Sequence, residues 1–203
     1  MRRHFLSIAL TAVISTSVCA EQTFVHDGVT YTYTEAMTAK TPPTGYIKQE
    51  DDEECRGRLE KYVGISPKVF SLLELTEGGY NGMAKSWPTK SGGKTWDTGK
   101  YSVNQVNWDK VYPKLTPIDL RWNDCASLVL SAIVVQEFYE AAKKKFKQDI
   151  IDKVDPITAL NSLAYNLAGY NSKTPTVRER YKNRILTMLG VNLFQGEIVG
   201  LWD

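Results

Sequence analysis

A glutamic acid that stays protonated near neutral pH can act as a general acid, and Glu77 is the candidate in this chain. It stands directly before Gly78-Gly79. A helix stopped by those glycines leaves Glu77 on its last turn, where the helix end carries partial negative charge. Glu74, one turn back, adds like charge if it faces the same way. Both effects raise the pKa of Glu77, and apolar walls raise it further. Such a carboxyl is what protonation of a glycosidic oxygen requires. A glutamate before Gly-Gly is usually an ordinary solvated helix end, so the surrounding order has to decide.

The element that must position Glu77 is legible. Ser66 suits the N-cap and Pro67 the first helical position, where no backbone N–H is needed. Val69, Leu72, Leu73 and Thr76 follow at helical spacing as one buried stripe. From Tyr80 to Tyr112 the spacing predicts a long loop with Tyr80, Trp87, Trp96, Tyr101, Trp108 and Tyr112. Flat rings with polar edges suit sugar faces, and Asn and Gln suit sugar hydroxyls and acetamido groups. At least half of these aromatics are expected in the core.

Three motifs follow one another in order: Glu77-Gly78-Gly79, then Asp97-Thr98-Gly99-Lys100-Tyr101-Ser102-Val103-Asn104, then Tyr170-Asn171-Ser172. In this order the chain, from Cys55 to Leu189, resembles the goose-lysozyme-like lytic transglycosylases, which cleave peptidoglycan. It looks closest to the small versions that accompany conjugation, type IV secretion and pilus systems. Where the family has a glutamine this chain has Ser102, and Lys100 and Tyr101 replace the usual apolar residues. Gln105 is the glutamine that could substitute.

The resemblance implies a mainly α, lysozyme-like helical domain with Glu77 catalytic. It implies a substrate groove lined by Tyr101, Ser102, Asn104, Gln105, Tyr170 and Asn171, with the Tyr170 hydroxyl aimed at the carboxylate. Glu77 would protonate the bond between N-acetylmuramic acid and N-acetylglucosamine, and the muramoyl 6-hydroxyl would close a 1,6-anhydro ring. Hydrolysis with Asp97 as base, or a retired enzyme that only binds glycan or serves as scaffold, are the alternatives. No cofactor or metal is implied. The expected partners are glycan strands and components of an envelope-spanning machine.

Residues 1–20 read as a secretory signal: Arg2 and Arg3, an apolar stretch to Val18, and a small-residue site near Ala20. The expected location is therefore periplasmic or exported. Cleavage removes Cys19 and leaves Cys55 and Cys125, and an even pair in an exported chain suggests a disulfide. Removing Arg2 and Arg3 also makes basic and acidic residues equal in number, which argues against nucleic acid as main ligand.

Residues 21–54 read as a β-hairpin appendage and linker. Asp27-Gly28 lies between two β-branched or aromatic runs, Thr41 to Gly45 is a breaker, and an acidic run ends the segment. Residues 55–190 form the helical domain, an apolar fraction of 42% being enough for a core.

Its helices are expected first from Cys55, with Leu59, Tyr62 and Val63 on the apolar side, and then from Pro67. A long central helix starts at Asn123 or Asp124, carries Cys125, Leu128, Val129, Ala132, Val135, Tyr139 and Ala142, and ends in Lys143 to Lys147. The next starts at Asp155-Pro156, with Ile157, Leu160, Ala164 and Leu167 on one face. The last is capped by Thr174-Pro175, carries Val177, Tyr181, Ile185 and Met188 or Leu189, and closes at Gly190. Residues 191–203 are an apolar tail that packs back or meets a partner. A single histidine, His26, remains after cleavage, so Ser-His-Asp, Cys-His and zinc chemistry lack their residues.

Overall fold

A computed structural model describes residues 21–50, 53–79 and 82–193. Residues 1–20, where a secretory signal is expected, residues 51–52 and 80–81, with Tyr80, and the tail from residue 194 lie outside the described residues.

The fold is mainly helical, 59% helix and 12% strand. The chain begins with β1 (Thr23–His26) and β2 (Val29–Thr32), an antiparallel hairpin in which Thr23 faces Thr32 and His26 faces Val29. Its turn residues Asp27 and Gly28 have φ of 48° and 77°, and positive φ at both central positions matches the twist of a two-residue hairpin. A short helix follows, α1 (Tyr33–Thr38), started by a capping box in which Thr32 and Glu35 bond each other's backbone N–H. The sequence reading did not foresee α1.

The N-terminal segment packs on the helices. Phe24, Ala36 and Met37 join the same apolar core as α3 and α5. The buried His26 Nδ1 lies 2.9 Å from Thr116 Oγ1. Arg121, only 7% exposed, reaches back to the carbonyls of Ala36 and Ala39.

The helices beyond are α2 (Glu53–Val63), α3 (Pro67–Glu77), α4 (Pro117–Trp122), α5 (Asp124–Ile151), α6 (Pro156–Leu167) and α7 (Pro175–Leu193). Asn123 and Asp155 cap α5 and α6 through their side chains. By length and composition α5 could cross a membrane, but 61% of its most apolar stretch is buried by the surrounding elements. It is the core's axis. Cys55 at the start of α2 and Cys125 at the start of α5 form a disulfide, closing 70 residues of chain.

Several expectations shift. The lysines from Lys143 do not end α5, which runs on to Ile151 because Phe146 and Asp149 still face the protein. Lys143 instead lies over the Tyr139 ring and Lys145 pairs with Asp149. The buried face of α6 is Ala159, Leu163, Ala164 and Leu167, while Ile157 is 71% exposed. Tyr62 on α2 is 78% exposed. The last helix continues past Gly190 to Leu193.

The region predicted as one long loop holds an antiparallel sheet of β3 (Ala84–Pro88), β4 (Lys94–Thr98) and β5 (Val103–Asn104), in that spatial order. Trp96, Tyr101 and Trp108 are core residues, whereas Trp87 and Tyr112 are each 42% exposed.

Candidate active site around Glu77

The glycine stop works as the sequence implies. Gly78 takes φ of 96° and donates its N–H to the Glu74 carbonyl at 2.9 Å, so α3 ends with Glu77 as its last residue. Three elements converge on that carboxyl. From α7, the Tyr181 hydroxyl donates to Glu77 Oε1, and Arg184 donates to the carbonyl of Thr76 beside it. From the turn between β4 and β5, the Ser102 hydroxyl faces the carboxylate and favours its charged form. Asp97, on β4, supplies the neighbouring negative charge.

The turn Gly99–Ser102 is built to approach closely. Ser102 N donates to Gly99 O at 3.1 Å. A Cβ on Gly99 would lie 2.2 Å from the Leu120 carbonyl oxygen and 2.4 Å from Ser127 Oγ, and its φ is +73°. Only glycine seats the turn against α4 and α5. Ser102 itself has φ of 49°, a left-handed conformation that costs a non-glycine residue roughly 1–2 kcal/mol. That strain is stored at the residue that touches Glu77, where functional sites tend to hold it.

Burial is the largest influence on Glu77 and raises its pKa above the ordinary glutamate range. Tyr181, Arg184 and Ser102 pull the other way by favouring the charged form, and Asp97 adds to the rise. The net direction is upward. Asp97 is also raised by burial, against two hydrogen bonds. Its Oδ1 accepts from Asn104 Nδ2 at 2.7 Å, and its Oδ2 accepts from the Trp87 indole N–H.

The predicted site residues divide. Glu77 and Ser102 meet, and Asn104 stands behind them as the anchor of Asp97 and the cap of the next short turn of helix. Tyr101 does not line a groove. Its side chain is fully buried, edge-on to Phe70, with Arg56 reaching its hydroxyl. Gln105 does not take the place of the family's glutamine, because its amide donates to Gln22 Oε1 at 2.7 Å. Tyr170 does not bond Glu77. Its hydroxyl donates to the Tyr101 carbonyl at 2.6 Å, with Ser131 also facing it, and so fixes the turn from below. Asn171 is exposed, next to it.

Glu74 differs as well. It points away from Glu77, paired with Arg56 and Lys100, so the like charge near Glu77 comes from Asp97 instead. Sequence reasoning missed Tyr181 and Arg184 as site residues. One signal was available: a tyrosine on an otherwise aliphatic core stripe carries a hydroxyl that needs a partner.

Among the described residues no cluster of three His, Cys, Asp or Glu side chains could hold a metal ion. Two surface concavities, one along α6 and α7 by Tyr165 and Arg180, one between Tyr31, Pro43 and Trp122, both lie away from Glu77. No protein family, curated protein or solved structure matches the chain.

Proposed function

We propose that this protein is a lysozyme-like lytic transglycosylase that cleaves the β-1,4 bond between N-acetylmuramic acid and N-acetylglucosamine in peptidoglycan. The observation that carries the reading is the Glu77 carboxyl: it ends a helix, its pKa is raised by burial, and it is gripped by Tyr181 with Ser102 facing it.

With Tyr181 donating to Oε1, the other oxygen is the one left to carry the proton to the glycosidic oxygen. As that bond breaks, positive charge develops on the muramoyl C1 and Glu77 becomes an anion. Tyr181, Arg184 and Ser102 each favour that charged form and lower its cost. The muramoyl 6-hydroxyl then attacks C1 while its proton returns to Glu77, giving a 1,6-anhydro end and regenerating the acid. Asp97 has both carboxylate oxygens engaged, by Asn104 and Trp87, which makes it a poor base for water and favours the intramolecular route over hydrolysis.

The Cys55–Cys125 disulfide fits an oxidising compartment outside the cytoplasm. Local opening of the wall for an envelope-spanning secretion, conjugation or pilus machine is the role that the resemblance suggests.

The test is mass spectrometry of soluble muropeptides from purified sacculi, wild type beside Glu77→Gln. Wild type is expected to release products one water lighter than hydrolysis gives, and Glu77→Gln none. Fully hydrated ends would make the protein a hydrolase. Binding to sacculi with no release by the wild type would sink the catalytic reading.

A further inference from the structure

The outward face of the three-stranded sheet holds an exposed tryptophan whose orientation is fixed. Side chains alternate across a sheet. On β4, Trp96 and Thr98 go inward, at 9% and 0% exposure, so Thr95 and Asp97 take the other face. Their cross-strand partners share it: Trp87 opposite Thr95, and Lys85 and Asn104 either side of Asp97.

Trp87 is the exception among the three tryptophans of β3 to Trp108. Trp96 and Trp108 are buried, while Trp87 stays 42% exposed. Its indole N–H is spent on Asp97, and Lys85 Nζ stands 4.2 Å from the ring centroid. A ring pinned by its edge and by a cation on one side has little freedom left to lose when something stacks on it. The face is also nearly neutral, because Lys85 and Asp97 offset each other. It runs into the catalytic centre, since β4 leads from Asp97 straight into the turn that carries Ser102.

We propose that this face is a glycan platform in which the Trp87 ring stacks on one N-acetylhexosamine of the strand, outside the sugars that flank the scissile bond. It rests on the reading of Glu77 as a glycan-cleaving acid and names a subsite of that same site. The recognised group is the sugar, through the apolar C–H face of its ring, and not the peptide stem or its charges. Chito-oligosaccharides, which carry no stem, should therefore bind it. A subsite distant from the reacting bond should matter more the longer the chain.

The experiment measures calorimetric affinity for chito-oligosaccharides from disaccharide to hexasaccharide. The proteins are Glu77→Gln alone and with Trp87→Ala or Trp87→Phe, each checked by circular dichroism. Trp87→Phe keeps a stacking face but loses the bond to Asp97, so it separates stacking from anchoring.

Affinity is expected to rise with chain length in the Trp87 and Phe forms. Trp87→Ala should weaken the hexasaccharide on the order of ten-fold and leave the disaccharide unchanged. Equal affinity in all three proteins at every length, or no chito-oligosaccharide binding at all, overturns the platform. Cleavage of sacculi by the protein with Glu77 intact is scored separately. If Trp87-dependent binding persists without cleavage, the catalytic reading fails and the platform stands. If cleavage proceeds with KM unchanged by Trp87→Ala, the platform fails and the catalytic reading stands.

Discussion

Lys100 Nζ lies 3.0 Å from Glu74 Oε1, joining the turn that carries Ser102 to the helix that carries Glu77. Ser102 faces Glu77 from the same turn, so turn and helix meet at two places. The pair sits in a partly buried network: Arg56 also holds Glu74, and Asp124 lies 4.0 Å from Lys100. Lys100→Met keeps most of the side chain's length and removes the cation between Glu74 and Asp124, leaving Glu74 to Arg56. We expect a loss of about 2–3 kcal/mol in urea unfolding, since removing one partner of a buried pair leaves uncompensated charge. Activity should fall with it, and Lys100→Arg should restore part of both. Unchanged unfolding and cleavage in Lys100→Met would show the tie to be idle.

Glu77 should cost the fold stability at neutral pH. Its folded pKa is raised above the ordinary value of 4.5, so its contribution is fully present below that value and is lost as pH rises through the folded pKa. Glu77→Gln escapes this loss. The variant should unfold at higher urea than wild type at pH 7, with the gap narrowing as pH falls toward 4. A gap that widens in acid would reverse the assigned direction.

Tyr181 and Tyr170 should separate by phenotype. The Tyr181 hydroxyl lowers the pKa of Glu77, so Tyr181→Phe should raise it further and move the alkaline limb of the pH–rate profile upward. The rate should drop about ten-fold, because the carboxylate anion loses a hydrogen bond when it forms. Tyr170→Phe instead deprives the Tyr101 carbonyl of its donor. It should lower the melting temperature and leave the position of that limb unchanged. Identical pH profiles for both variants would contradict this division.

The disulfide closes 70 residues around α3 and the sheet. In the chain-entropy model that loop contributes about 4 kcal/mol by restricting the unfolded chain. Replacing Cys55 and Cys125 together by serine, or reducing the protein, should lower the urea midpoint correspondingly. An unchanged midpoint after verified reduction would mean that the α2–α5 packing needs no covalent support.

What could be read from the sequence was local chemistry. The Asp27-Gly28 turn, the Gly78 stop and the Asn123 and Asp155 caps all depend on residues within a few positions of one another. The start of α4 was equally local. Thr116 and Asp119 form a capping box around Pro117, but the helix is only 6 residues long and too short to show a periodic apolar stripe. The β3–β4 hairpin hid for the same reason, its alternation broken by exposed lysines and tryptophan. The direction of Glu74 was not legible at all. It depends on where α2 and the Gly99–Ser102 turn come to rest, which is a matter of tertiary packing. The exchange of Tyr170 for Tyr181 has the same origin: both tyrosines approach the site, and the angle of α7 against α3 decides which hydroxyl reaches the carboxylate.

The bond between Tyr181 and Glu77 spans 104 residues and comes from the last helix of the described chain. An emerging polypeptide therefore makes its acid long before it makes the hydroxyl that holds it. Until α7 docks, Glu77 lacks the Tyr181 hydroxyl and part of the burial that raises its pKa. A nascent or truncated chain thus lacks the finished site, and on the proposed reading the order of synthesis delays any cleavage of the wall until the last helix is in place.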